Sequence, residues 1–417
     1  MQNVMNAAPL HPQFGKADAV LELGARVGLK VANPWHSAAV PDILRQIRTL
    51  LSPTSNGQIV VSSAEELSLG WTPIHYPTRR DLTPAVFTNG LPDCFGTGGR
   101  ITAFSPEFKV LSVPNGYFGH FFGAPMVLAS DKRTIVRDVS SHYSDLYQYY
   151  DMDAAGILDA APFIDGTVIP ISDDIRPLNF CHWLVDWLPR LAFLGARATL
   201  SSVYVVTTPL IAKFQRDSLR MCGFDESRVI ALDEYQAVRA RELLVPSDLR
   251  AIPHPIHKGA PWALSWLRST VGLGSVMEVG DDLRRREKIY VSRSDASRRR
   301  IVNDAEFATA LARLGYRRIE LAGASLAEQV TAFAYASHII SLHGAGLSNL
   351  AFAAPGTQVI EIFPERYGIL SFAVIAASVQ CPYATYIADR TVAGENTQSD
   401  DVEVDVARFL SACGELL

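Results

Sequence analysis

Between Lys288 and Pro364, strand-length apolar runs alternate with helix-patterned runs, and this alternation constrains the fold more than any other feature. The stretch opens with Lys288-Ile-Tyr-Val-Ser292 and a basic turn from Arg293 to Arg300. Asp304 to Leu314 then has helical spacing. A second apolar run, Ser337-His-Ile-Ile-Ser-Leu342, ends in His343-Gly-Ala-Gly-Leu-Ser-Asn349, and a third spans Thr357 to Pro364. Such alternation predicts βαβ units and a parallel sheet. In open parallel sheets, ligands sit at the carboxyl ends of the strands. Arg293, His343-Gly-Ala-Gly346 and Glu361 fall at or near three such ends. Cations, bare backbone N–H groups and a carboxylate in one crevice are what a nucleoside diphosphate requires.

The 417 residues allow two or three domains. Hydrophobic residues make up 48% and charged residues 19%, as in ordinary soluble globular proteins. A net charge of −5 argues against bulk nucleic-acid binding. The five cysteines lack C-x-x-C spacing, which suits a reducing compartment and supplies no zinc framework. The start of the chain lacks a signal-peptide pattern, and no run reaches the ~18 apolar residues of a spanning helix. Together these features predict a cytoplasmic protein. The aromatic run Tyr117 to Phe122 is expected to be a buried strand, with peripheral membrane contact, at the inner face of the membrane, as the alternative.

In chain order, residues 1–100 form an accessory segment. Ala17 to Val31 and Val40 to Leu51 have helical spacing, and irregular structure follows from Pro53 to Gly99. This segment could serve an oligomer, an acceptor or simply the sheet it covers. Residues 101–258 read as one Rossmann-like domain. Its first part, Ile101 to Val139, is strand-like with an antiparallel pattern, and Tyr143 to Ala160 is helical or irregular. Strands follow at Thr167 to Ile171, Val203 to Thr207, Arg228 to Leu232 and Glu242 to Pro246. A helix from Leu210 to Cys222 stops at Gly223. Ile252 to Gly259 reads as a linker. Residues 259–417 read as a second Rossmann-like domain. It starts with a helix from Pro261 to Val271 and ends with an amphipathic helix from Asp400 to Cys413 that could return to the first domain.

Two groups of residues carry candidate chemistry. Gly344 and Gly346 allow close backbone approach before a helix whose first N–H groups attract phosphate. Arg293, Arg299 and Arg300 offer bidentate phosphate contacts, with a solvated basic turn as the plain alternative. Glu361 could accept from ribose hydroxyls or pair with an arginine. Asn303 is expected to cap the following helix. In the first domain, His182, Asp186 and Arg190 recur at i, i+4 and i+8 on one helix face, and Pro189 is expected to kink that helix. An imidazole beside a carboxylate can take a proton from a hydroxyl, whereas an Asp186–Arg190 ion pair would make the helix purely structural. Asp151-Met-Asp153 matches the short D-x-D pattern of metal-dependent sugar transferases but follows no clear strand end. No Gly-x-Gly-x-x-Gly opens a first βα unit, which disfavours a dehydrogenase.

Taken together, the motifs resemble glycosyltransferase family 61. Asn179-Phe-x-His182-Trp-Leu-x-Asp186-x-Leu-Pro-Arg190-Leu is similar to its N-terminal signature. Tyr290-Val-Ser-Arg293, Arg299-Arg-Ile-Val-Asn303, His343-Gly-Ala-Gly-Leu-Ser-Asn349, Pro355-Gly356 and Val359-Ile-Glu361-Ile-x-Pro364 are similar to its C-terminal signatures, in the same order. The resemblance covers about Gly166 to Pro364. It implies an α/β, GT-B-like architecture of two facing Rossmann-like domains. It also implies inverting transfer from a nucleotide-sugar donor to a glycan or lipid-linked saccharide in surface polysaccharide synthesis, with no cofactor and no essential metal. His182 or Asp186 would be the base. The donor would lie against Arg293, Arg299, Arg300, His343, Gly344 and Ala345, and against Gly346, Leu347, Asn349 and Glu361. A non-catalytic nucleotide-sugar-binding or scaffold protein with the same fold, and a homo-oligomer, stay open at this point.

Overall fold

The structure, a computed structural model, describes residues 60–81, 85–95, 102–121, 124–140, 154–171, 179–197, 202–233, 236–249, 260–273, 287–392 and 400–417. The expected helices at 17–31 and 40–51, the Asp151–Asp153 pair and the linker 252–259 lie outside these residues.

The first hundred residues contribute β1 (Val60–Ser62), β2 (Trp71–His75), β3 (Thr78–Asp81) and β4 (Val86–Phe87). Next come β5 (Thr102–Ser105), β6 (Phe108–Pro114), β7 (Tyr117–Phe121), β8 (Ala124–Leu128) and β9 (Thr134–Val136). Helix α1 (Ala154–Asp159) leads to β10 (Phe163–Pro170), β11 (Val203–Thr207), α2 (Lys213–Met221), β12 (Val229–Ala231) and β13 (Gln236–Pro246). These strands, apart from β3, β4 and β5, form a ten-stranded mixed sheet. β13, β10, β11 and β12 run parallel, and β6 and β7 pair antiparallel with β13. The aromatic run of β7 is buried at every position from Tyr117 to Phe121, so it is an interior strand and offers no membrane contact.

The second sheet follows α3 (Pro261–Thr270). Its elements are β14 (Glu287–Val291), α4 (Asp304–Ala312), β15 (Tyr316–Ile319), α5 (Leu326–Ala334), β16 (Ala336–Leu342), β17 (Gln358–Phe363), α6 (Ser371–Ser378) and β18 (Tyr383–Ile387). A hairpin of β19 (Arg390–Val392) and β20 (Asp401–Glu403) precedes α7 (Val406–Cys413). The strand order is β15-β14-β16-β17-β18-β4, parallel throughout. β16 and β17 are almost wholly buried, as near-continuous apolar runs in a parallel sheet covered on both faces should be.

Strand order places the site. From β14 the chain moves outward to β15, then returns to the other side of β14 as β16 and continues outward to β17. The connection after β14 therefore leaves in one direction and the connection after β16 in the other. That divergence opens a crevice between them, the usual ligand position in doubly wound sheets.

The ends of the chain behave differently from expectation. In the described part of the first hundred residues, β1 and β2 join the first sheet and β4 joins the second. There the Asn89 side chain bonds both the N–H and the C=O of Ile387 at 2.8 Å. The C-terminal helix starts at Val406, because Asp401 to Glu403 form β20 and Asp405 caps the helix by accepting from Arg408 N–H. It stays on the second sheet, with Phe409 edge-on to Phe307 and Tyr386. One hydrophobic core is shared by both sheets, joining Trp183 and Leu184 to Leu264, Leu347 and Phe352. No helix among the described residues is long and apolar enough to cross a membrane.

Candidate active site

At the crevice, Arg293 follows β14 and turns back over its own loop. Its Nε donates to the Arg299 carbonyl at 2.9 Å and its Nη2 to the Arg298 carbonyl at 3.1 Å. Nη1 lies against Gly344, where a Cβ would come within 2.0 Å of it. Gly344 is therefore required by a neighbouring side chain, not by its own backbone, which is extended at φ 175°. Burial, with Arg299 close by, pulls the Arg293 pKa down to about 10, so the guanidinium remains charged at neutral pH.

Arg299 has a left-handed backbone, with φ 52°. A non-glycine residue there costs on the order of 1 kcal/mol. Its guanidinium lies 4.8 Å from the Tyr367 ring centroid. Its buried Nε and Nη1 have no hydrogen-bond partner among the described residues. Arg300 is differently placed, because its guanidinium and its N–H are both taken up by Asp401.

The glycine loop opens a 3₁₀ helix, Ala345–Phe352. Ala345 and Gly346 are partly exposed, while Leu347 and Asn349 are buried. Asn349 Nδ2 donates to the Gly346 carbonyl at 3.0 Å and to Gln329 on α5 at 2.9 Å, so it braces the loop from beneath. At the other end, buried Arg268 on α3 donates to the carbonyls of Ala351 and Ala353, at 3.3 and 2.9 Å. A cation there complements the helix dipole whose positive end is the glycine loop. Asn303 occupies the N-cap position of α4 but makes no side-chain cap bond. Its amide instead bonds the N–H and C=O of Val404.

Glu361 does not reach the crevice as a free acceptor. It is fully buried, with one oxygen facing His343 Nδ1 and the other accepting from Tyr383 Oη. The reason is strand alternation: Glu361 shares its face of β17 with Val359 and Phe363, which pack into the core. Burial first, and then the Glu361 carboxylate, hold the Tyr383 phenol well above the usual range. His343 is stacked on Phe363 and edge-on to Tyr367. A cavity of 260 Å³ opens beside it, lined by Pro92, Cys94 and Pro364 to Gly368.

On the first domain, each residue of the Asn179–Arg190 motif has a local task. Asn179 Oδ1 accepts from the N–H groups of Cys181 and His182 and starts the helix. His182–Trp187 is a π-helix, and 3₁₀ turns follow over Leu188–Arg197, broken at Gly195, where φ is 52° and ψ −163°. Pro189 accounts for the change, since it has no N–H to donate to Val185 four residues earlier. The kink read from Pro189 is thus present, as a change of helix type. Trp183 Nε1 donates to Ser218 on α2 at 2.8 Å and anchors the turn. His182 Nδ1 lies 2.6 Å from Asp186 Oδ2. Arg190 does not pair with the Asp186 carboxylate. It donates to the Asp186 carbonyl at 3.2 Å and to Asp248 at 3.1 Å.

The comparisons can now be set beside this geometry. The family model described as Glycosyltransferase 61 matches residues 180–360. Residues 180–360 belong to glycosyltransferase family 61. No curated protein matches the chain. In this glycosyltransferase the matched span holds the His182–Asp186 pair, the arginine loop, the glycine loop and the first half of β17, up to the residue before Glu361. Tyr367, Tyr383, Asp400 and Asp401 lie beyond it. They were missed in the sequence because no local motif marks them, and they reach the site only through the sheet and the hairpin. Among the described residues, no group of three or more His, Cys, Asp or Glu side chains is arranged to hold a metal.

Proposed function

We propose that this glycosyltransferase transfers a sugar from a nucleotide-sugar donor to a hydroxyl of a glycan or lipid-linked saccharide, with inversion and without an essential metal. The supporting observation is the cluster at the switch point of the second sheet. There Arg293 lies against the glycine loop, Arg299 packs on Tyr367 beside His343, and two buried nitrogens of Arg299 have no hydrogen-bond partner among the described residues. Charge-assisted bonds from two guanidinium groups suit a diphosphate and can take up the charge that a metal would otherwise neutralise. The buried residues His343, Leu347, Asn349 and Glu361 support this loop from below, and Arg300 ties the arginine loop to Asp401.

The acceptor enters from the first domain in a GT-B arrangement, with domains at about 101–258 and 259–417. His182 is the base. A neutral imidazole that donates Nδ1–H to Asp186 carries its lone pair on Nε2, and Asp186 fixes that tautomer from below. The acceptor O–H proton passes to Nε2 as its oxygen bonds the anomeric carbon. The bond from that carbon to the diphosphate breaks on the opposite face, and its electron pair leaves on the nucleoside diphosphate, beside the arginines. A cytoplasmic role in surface polysaccharide synthesis fits these substrates.

A thermal-shift screen with UDP-, GDP-, CMP- and dTDP-sugars tests this reading. One diphosphate donor class is expected to raise Tm, since a ligand at 100 Kd stabilises by ~2.7 kcal/mol, and to release its nucleotide during transfer. No shift and no nucleotide release with any donor would refute it.

A further inference from the structure

The arginine loop is held by a segment that lies outside the family match. Val402 N–H donates to the Arg300 carbonyl and Val302 N–H to the Val402 carbonyl, both at 2.8 Å, so residues 300–302 gain a short parallel partner. Asp401 accepts from the Arg300 backbone N–H at 2.8 Å and from its guanidinium at 2.8 and 3.2 Å. Its neighbour Asp400, buried, accepts from Arg366 at 3.1 Å. Arg366 precedes Tyr367, and Tyr367 carries Arg299 on its ring. The contacts therefore close a ring: Arg299 and Arg300, then Asp401 and Asp400, then Arg366 and Tyr367, and back to Arg299. Three links are covalent neighbours, two are ion pairs and one is a cation–π contact.

The geometry points to Asp400 and Asp401 as positioning residues that bracket the loop after β14 against the loop after β17, an inference that rests on Arg299 being a donor-phosphate contact. Neither aspartate need touch the donor. Each fixes one side of the gap in which the Arg299 guanidinium is held, with its left-handed backbone and with Nε and Nη1 lacking a hydrogen-bond partner among the described residues. Without the bracket, fewer molecules hold Arg299 in place, and apparent affinity falls in proportion to that fraction.

The test uses the full chain and whichever of UDP, GDP, CDP and dTDP binds the wild type most tightly by calorimetry. Asp400→Asn and Asp401→Asn are each expected to weaken that binding about 3- to 10-fold, as a bracket that shifts the competent population would. Adding Asp401→Asn to Arg300→Gln should weaken binding less than Asp401→Asn weakens the wild type, because Asp401 acts in part through the Arg300 side chain. Arg299→Ala is the control for the donor reading. If none of the four nucleotides binds the wild type, or Arg299→Ala binds normally, the donor reading fails and the bracket with it. If Arg299→Ala is impaired while both aspartate variants bind normally, whatever their Tm, the bracket alone is overturned.

Discussion

Arg293 and Gly344 are in mutual contact across the crevice, with the position of a Gly344 Cβ only 2.0 Å from Arg293 Nη1. The two loops that meet there come from neighbouring strands at the switch point of the sheet. Gly344→Ala must push Arg293 away from the glycine loop. Its backbone is extended, so the substitution carries no conformational penalty of its own. The expected result is donor affinity lowered by roughly tenfold or more, with a Tm close to wild type, since one charge-assisted contact contributes ~1.5–3 kcal/mol. Calorimetry with a nucleoside diphosphate and a melting curve check the two halves separately.

Arg299 and Arg293 should each matter to donor binding. Arg299→Ala removes two unpartnered buried nitrogens and relieves none of the left-handed strain, so its cost falls on ligand affinity. Arg293→Ala also releases the Arg298 and Arg299 carbonyls, so it should lower both affinity and stability. Each variant is expected to weaken nucleotide binding by roughly 10- to 150-fold. Unchanged affinity in either would reduce that arginine to a structural part of the turn.

Tyr383 gives a stability prediction with a definite sign. Its phenol is held above the usual range by burial and by Glu361, so the folded state keeps a proton that the unfolded chain releases near pH ~10. Its contribution is complete below about pH 10, and stability is lost as pH rises further, because the unfolded state then binds fewer protons. Tyr290 and Tyr316, also buried, shift in the same direction. Tm should fall above pH 10, and Tyr383→Phe should blunt that fall. At neutral pH the same variant leaves a Glu361 oxygen without its donor and should cost about 1–3 kcal/mol. A denaturant series at pH 7 and pH 10.5 measures both effects.

Turnover is expected to survive EDTA, because in the proposed donor site Arg293 and Arg299 would neutralise the diphosphate in place of a metal. Complete loss of activity on chelation, restored by Mn²⁺ or Mg²⁺, would return Asp151 and Asp153 to consideration as ligands.

The parallel sheet was legible because β14, β16 and β17 are apolar runs separated by glycines, prolines and a helical pattern. The glycine loop and Arg293 were legible as motifs at strand ends. β15 and α5 went unread, although Ser325 and Glu328 form a capping box whose spacing is visible in the chain. Glu361 shows the limit of such reading. Its motif placed it near a strand end, but the face it occupies depends on register, and that face is interior. The π-helix could not be read from the i, i+4 pattern either. His182 and Asp186 meet in both geometries, and only Pro189 hinted at a change. β4 and β20 act through partners some 300 and 100 residues away in sequence, where local patterns carry no signal.

His182 and Asp186 carry the chemistry proposed for the first domain, and their exposures divide the roles: the carboxylate side chain is 1% exposed and the imidazole 34%. The most direct test is to measure kcat and donor affinity together for His182→Ala, with Asp186→Asn alongside. Loss of the base should lower kcat by ~10²–10⁴-fold while donor affinity stays close to wild type, and Asp186→Asn should cost less. Near-normal kcat in His182→Ala, with Asp186→Asn inactive, would contradict the assignment and make Asp186 the base.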